Sequence, residues 1–195
     1  MSDERSIDLS APPVIETARL RLRPFVEDDA PRLTALLEAF EVVEFTAGYP
    51  HPFGLDDARR QLERQRHLAE AGQAVHWAIE PIETPPGSLN GLCGGVLAKL
   101  DAPCRNAELG YWLGRNAWGR GFATEAGRAV IDWCFGAWNA NRVEAHHVAR
   151  NPSSGRVLEK LGMQQEGHLR QRQRRWERFE DVILYAVLRG EWQAR

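Results

Sequence analysis

Ala107-Glu108-Leu109-Gly110-Tyr111-Trp112-Leu113-Gly114-Arg115-Asn116-Ala117-Trp118-Gly119-Arg120-Gly121-Phe122-Ala123-Thr124-Glu125-Ala126 reads as a strand, a tight turn and the start of a helix. Gly119, Gly121 and Ala123 are small enough to let main-chain N–H groups come close to a ligand. A helix that begins here leaves its first amides without carbonyl partners. Such a join cradles an anion, a pyrophosphate above all. A P-loop nucleotide hydrolase does not fit, because no Gly-Lys-Ser/Thr follows the glycines.

Downstream, a helix is expected over residues 124–138, with Ala126, Ala129, Val130, Trp133, Cys134 and Ala137 on one core-facing stripe. Residues 143–150 read as a strand. Asn151-Pro152 opens a short helix that turns Val157, Leu158 and Leu161 inward and stops at Gly162. Residues 163–188 read as two strands around a basic turn. Upstream, Arg19-Leu20-Arg21-Leu22-Arg23 alternates as a half-buried strand that Pro24 closes. Asp28 or Asp29 suits the cap of the next helix, whose stripe is Leu33, Leu36, Leu37 and Phe40.

Residues 49–54 form a loop and residues 56–72 a polar surface helix. Residues 75–80 and 92–99 are strands joined through Pro85-Pro86-Gly87 and Asn90-Gly91. Residues 1–16 are expected to be a loose lead-in and residues 17–195 a single domain. The layout is mixed α/β, with both helix starts following central strands.

A chain of 195 residues, 43% hydrophobic and 27% charged, is long enough to bury a core. Its formal charge of -2 argues against a nucleic-acid partner on bulk electrostatics. No apolar run reaches membrane-spanning length and the polar start lacks a secretory pattern, so a cytoplasmic location without a membrane partner is expected. Cys93, Cys104 and Cys134 lack metal-ligand spacing and read as reduced thiols, and no metal is expected. The 7 tryptophans leave room for a homodimer interface.

From roughly residue 17 to residue 192 the chain resembles the GNAT superfamily of acetyl-CoA-dependent N-acetyltransferases, in its RimJ/RimL type. Thr17-Ala18-Arg19-Leu20-Arg21-Leu22-Arg23-Pro24 is similar to that group's first strand, and Glu108-Leu109-Gly110-Tyr111-Trp112-Leu113 to its fourth. Residues 118–126 resemble its pyrophosphate loop. Asn151-Pro152-Ser153-Ser154, followed by Val157-Leu158-Glu159-Lys160-Leu161-Gly162 and then Glu166-Gly167, resembles its second cofactor motif. Asp181-Val182 through Tyr185, then Glu191-Trp192, is similar to its last strand and tail. The resemblance implies a GNAT-like fold, a central mixed sheet of about seven strands flanked by about four helices. It also implies transfer of an acetyl group from acetyl-CoA, by direct attack, to a primary amine on a protein N-terminus or a small molecule.

Acyl transfer from a thioester needs a neutral amine, a stabilised carbonyl oxygen and a proton for the departing thiolate. The resemblance places acetyl-CoA where strand 108–113 splays from strand 143–150. Main-chain groups near Leu113 would pair with the pantetheine arm, and Trp118, Gly119, Arg120, Gly121, Phe122, Ala123 and Thr124 would hold the pyrophosphate. Many members begin this loop with Gln or Arg where Trp118 stands, a change that a backbone cradle tolerates. Ser154 matches the serine linked to protonating the thiolate, and Asn151 the residue that bonds a pantetheine amide; both also suit a plain helix start.

Glu108 is placed either to accept the amine proton through water or to orient the substrate's ammonium. The glutamate that serves some members aligns with Gln173, which takes no proton, so Glu177 or Glu180 would have to substitute. His146-His147 sets one imidazole on each side of the sheet. Alternation puts Arg170, Arg172 and Arg174 on one face, either a solvated edge or an attraction for an acidic acceptor at Arg170 and Arg172. Tyr49, His51 and Phe53 either contact the acceptor or anchor their loop. Two other readings stand beside the enzyme: an acyl-CoA-binding sensor without turnover, and an RNA-associated protein using the arginine run.

Overall fold

One mixed sheet of 8 strands in the order β1-β2-β3-β4-β5-β6-β8-β7 organises the computed structural model, which describes residues 8–9, 12–46, 48–83 and 91–193. The strands are β1 (Ile15–Glu16), β2 (Leu20–Pro24), β3 (Ala74–Pro81), β4 (Gly94–Asp101), β5 (Asn106–Leu113), β6 (Arg142–Val148), β7 (Gln164–Arg175) and β8 (Arg178–Leu188). The helices are α1 (Ala30–Leu37), α2 (Phe40–Val43), α3 (Leu55–Glu70), α4 (Phe122–Gly136), α5 (Pro152–Lys160) and α6 (Arg189–Gln193). Among the described residues β5 and β6 pair in parallel, and every other adjacent pair is antiparallel. Parallel neighbours need a crossover, and α4 supplies it.

Alternation assigns the two faces. Ala107 and Leu109 of β5 join a core with Ala126, Val130 and Ile131 of α4 and Leu158 of α5. Trp112, of opposite parity, joins the smaller core with Leu33 and Leu37 of α1 and Ala58 of α3. Helices α4 and α5 therefore cover one face, and α1 to α3 cover part of the other.

Several expectations change. Ile15 and Glu16, assigned to the lead-in, pair with Leu22 and Arg21 and add an edge strand. Residues 1–7 and 10–11 of that lead-in lie outside the described residues, as do Pro85-Pro86-Gly87 and Asn90. Phe40 does not extend the α1 stripe. It opens α2 and stands 40% exposed, because Ala39 adopts an extended conformation between the two helices. Asp29 occupies the N-cap position of α1 without a side-chain cap bond; Arg23 and the Val26 amide claim its carboxylate instead. The alternation of Arg170, Arg172 and Arg174 is broken by a register shift between Leu169 and Gln173, where Gln171 has φ 50°. The three arginines thus share no continuous strand face.

Candidate active site

The site begins where β5 and β6 part. Their pairing covers only Asn106, Ala107 and Glu108 against Arg142, Val143 and Glu144. Gly114 N donates to Cys93 O at 2.9 Å, which sets the parity of β5: even-numbered residues turn their peptide groups to β4 and odd-numbered ones to β6. Beyond Glu108 the Leu109 carbonyl and the peptide groups of Tyr111 and Leu113 therefore line an open cleft. Ala149 N bonds Asp181 O at 2.9 Å, so on β6 the odd residues face β8, and His146 and Val148 face the cleft. The Leu113 carbonyl has one partner already, the Trp118 indole N–H at 2.7 Å.

At one end of the cleft lies the glycine turn. Gly119 and Gly121 have φ of 73° and 80°, the left-handed region that side chains disfavour, and Gly121 is the N-cap of α4. Glu125 N makes the first intrahelical bond, to Gly121 O at 3.1 Å, so the amides of Phe122, Ala123 and Thr124 have no carbonyl of their own helix. A clamp from the start of the chain steadies the turn. The Glu125 carboxylate accepts from Thr17 Oγ1 at 2.7 Å, Arg19 N at 2.9 Å and Arg19 Nε at 2.7 Å, while Arg19 Nη1 reaches Arg120 O at 3.0 Å. Burial would raise the Glu125 carboxyl, but these donors hold it below the ordinary carboxylate range. The guanidinium groups of Arg19 and Arg120 lie 5.1 and 4.6 Å from the centre of the Phe122 ring. Beside the turn, Arg19, Gly121, Thr124, Arg128 and Lys160 line a hollow of about 590 Å³. Arg19 and Glu125 were not singled out in the sequence, since a contact across 106 positions leaves no periodic signal.

The second helix start faces the same cleft. Pro152 stands in the first turn of α5 and Asn151 is its N-cap, with Oδ1 accepting from Ser154 N at 3.4 Å. The Ser154 hydroxyl lies 2.9 Å from the Tyr111 hydroxyl, which also donates to Ser154 O at 3.0 Å. Burial pushes the Tyr111 phenol up to about 12 against the opposing bond from Ser154. Tyr111 was missed at the sequence level; its odd parity with Leu109 and Leu113 was the available signal. Under α5, His147 is buried with Nδ1 2.9 Å from Val148 O, and a Cβ on Gly155 would come within 2.8 Å of its Nε2.

Glu108 has the parity of Trp112, opposite to Tyr111, and so faces away from α5. His146 lies on its side of the sheet, Nδ1 to Oε1 3.3 Å, and Lys99 Nζ is 3.7 Å from Oε2. The bond from His146, opposed by burial and aided by Lys99, keeps the Glu108 carboxyl below its ordinary range. The cleft thus carries a hydroxyl pair toward one face and a carboxylate–imidazole pair toward the other.

The expected acceptor contacts do not converge here. Tyr49 is 6% exposed, its ring packed on Phe53 and Trp112 at 5.7 and 6.0 Å, and burial raises its phenol; with the buried Phe53 it is a core residue and offers no face to a substrate. His51 does stand at the surface, against Phe40 at 5.2 Å and Trp176 at 6.4 Å. Arg170 and Arg172 are exposed on the edge strand β7, which β8 separates from β6, about 10 Å from the cleft edge. Gln173 pairs with Glu180, whose carboxylate is held by Arg150 Nε at 2.8 Å, and Glu177 is bound to Arg174 at the surface. The β7–β8 turn is fastened to residues 43–49: Arg175 donates to Val43 O and Tyr49 O, each at 2.8 Å, and Trp176 Nε1 to Glu44 O at 3.0 Å.

A cleft between parting parallel strands, with two helix starts aimed at it, defines an acyltransferase of one family. Residues 19–164 match the Acetyltransferase (GNAT) domain, and the chain belongs to the GNAT acetyltransferase family. It is 35% identical over 176 residues to the uncharacterised N-acetyltransferase p20 of Bacillus licheniformis, covering 90% of this chain and 96% of that protein. The uncharacterised N-acetyltransferase YoaA of Bacillus subtilis (strain 168) is 31% identical over 159 residues, 82% of this chain and 87% of its own length. In fold the chain is similar to RimL, a ribosomal L7/L12 alpha-N-protein acetyltransferase in complex with coenzyme A. The TM-score is 0.81 at 19% identity, over 90% of this chain and 98% of that one. Among the described residues no helix is long and apolar enough to cross a membrane.

Proposed function

We propose that this protein transfers the acetyl group of acetyl-CoA to a primary amine, on a protein N-terminus or a small molecule, by direct attack within a ternary complex. The observation that carries the reading is the parting of β5 and β6 after Glu108, which exposes the Leu109 carbonyl and the peptide groups of Tyr111 and Leu113 between two helix N-termini. The residues fit an acyl-CoA. Two glycines in the left-handed region and the free amides of Phe122, Ala123 and Thr124 suit a diphosphate, with Trp118, Gly119 and Arg120 completing the loop. Arg128 and Lys160 border the adjoining hollow and would meet the remaining phosphate. The Leu113 edge and the Asn151 amide would pair with the pantetheine arm. That the fold neighbour RimL forms a complex with coenzyme A supports an acyl-CoA as the ligand.

When bound, acetyl-CoA supplies an activated acyl carbon. The chain's own groups do the rest. A cleft-facing amide of β5 donates to the thioester oxygen as charge builds there. Ser154, held by Tyr111, gives the departing sulfur its proton. Glu108 and His146, on the opposite face, meet the incoming amine. Thiol release is measured with a panel of peptides bearing free N-terminal Ser, Ala or Met and of small primary amines. Ser154→Ala is expected to lower kcat with the best acceptor about 100-fold at little change in acetyl-CoA affinity. Saturable acetyl-CoA binding with no thiol release for any amine would instead establish the sensor reading.

A further inference from the structure

We infer that His146, held in place by Glu108, is the catalytic base that takes the proton of the attacking amine. This rests on the acetyltransferase reading above and assigns a role that the motif resemblance leaves to a carboxylate.

Glu108 is the last β5 residue bridged to β6, and His146 lies two residues past its partner Glu144, on the same face. The main chain of His146 already looks into the cleft, while its side chain is 39% exposed on the face away from Ser154 and Tyr111. A thioester between the strands would thus have the hydroxyl pair toward one face and His146 toward the other. The adjacent His147 has no such access, being buried beneath Gly155.

Both Glu108 oxygens have cationic or donor company, Oε1 from His146 Nδ1 at 3.3 Å and Oε2 from Lys99 Nζ at 3.7 Å. A carboxylate so placed is a weak proton acceptor. It is well suited to fix the imidazole with Nδ1 protonated, which turns the Nε2 lone pair outward. The other charged groups nearby are Arg142 and Glu144 on β6, and Arg142 is tied to Glu144 at 3.1 Å and also to Glu166. From β8 the cross-strand neighbour is the uncharged Leu184.

An ammonium proton passes to His146 Nε2 and on to water, leaving a neutral amine. Its lone pair forms the C–N bond as the C–S bond breaks, and the sulfur keeps the C–S pair. The sulfur takes the Ser154 hydroxyl proton, and the second proton lost by the nitrogen restores that hydroxyl through solvent. One amide, one thiol and one released proton result.

The test uses the full chain, acetyl-CoA and the best acceptor of the panel. His146→Ala should lose about 100-fold in kcat, with coenzyme A affinity and thermal midpoint kept. Added imidazole should restore rate in proportion to its free-base form. His146→Asn, which can still donate to Glu108 but takes no proton, should lose as much. Glu108→Gln should keep about a tenth of the activity. The inference is overturned if His146→Ala stays within about threefold of wild type, if imidazole restores nothing, or if Glu108→Gln is the only inactive variant. Undiminished turnover in the His146 variants would overturn this assignment and leave the acetyltransferase reading intact, whereas an inactive wild-type protein sinks both.

Discussion

The glycine turn and the surface fastened between α2 and the β7–β8 turn are built by different means. The main chain of the turn before α4 is local: residues 118–125 supply the left-handed glycines and the free amides, steadied by one long-range clamp from Glu125 to Thr17 and Arg19. The surface formed by α2, its following loop and the β7–β8 turn depends on long-range bonds throughout. Arg175 and Trp176 reach carbonyls 126 and 132 positions away in sequence. Backbone geometry resists variation because nearly any side chain at Gly121 strains it. A surface made from a few long-range side-chain bonds can be reshaped without disturbing the first.

The largest expected effect comes from breaking the local half. Gly121→Ala forces a side chain into φ 80°, at about 1 kcal/mol of strain, with its Cβ 3.4 Å from Arg19 Nη2. Displaced amides should cost about 1.5–3 kcal/mol of anion binding, a ten- to hundredfold weaker coenzyme A in calorimetry. Unaltered affinity would remove the turn from the cofactor site. Arg175→Ala attacks the other half. Leaving the Val43 and Tyr49 carbonyls without this donor should cost about 1–3 kcal/mol of unfolding free energy in a urea titration and raise the acceptor KM. Coenzyme A affinity should hold; a parallel loss of both would show that the halves are coupled.

Glu125→Gln is the smallest change and sharpens the first half. The folded Glu125 carboxyl lies below its ordinary 4.5, so its contribution is complete above that value and disappears as the pH falls through the folded one. The variant should be less stable than wild type at pH 7, and the gap in urea midpoints should close on acidification. A gap independent of pH would show that charge is not what pins the turn.

Legibility in the sequence follows the same line. Residues 107–126 announced strand, turn and helix because glycine positions and apolar spacing are local signals. The stripe is buried at Ala126, Val130, Trp133 and Cys134, half-buried at Ala129 and exposed at Ala137, which lies past the end of α4. The GNAT family was readable there and from the Asn151–Ser154 motif. Contacts at a distance were not. Tyr49 reads as a loop aromatic, yet packing against Trp112 makes it core. The arginine alternation failed at one bulge, because the stretch between Leu169 and Gln173 on β7 is longer than the stretch of β8 it faces and leaves Arg170 and Arg172 outside the ladder. The Tyr111–Ser154 and Glu108–His146 pairs needed the register of β5 against its neighbours, which sequence spacing does not carry.

Beneath α5, Gly155 and the imidazole of His147 fill one space between them, with 2.8 Å left where a methyl would stand. The seat of Ser154, one residue earlier, is therefore set by how small its neighbour is. In any lineage descending from this chain, a larger residue at 155 has to wait for a smaller one at 147, so the two positions should drift as a couple or stay fixed together.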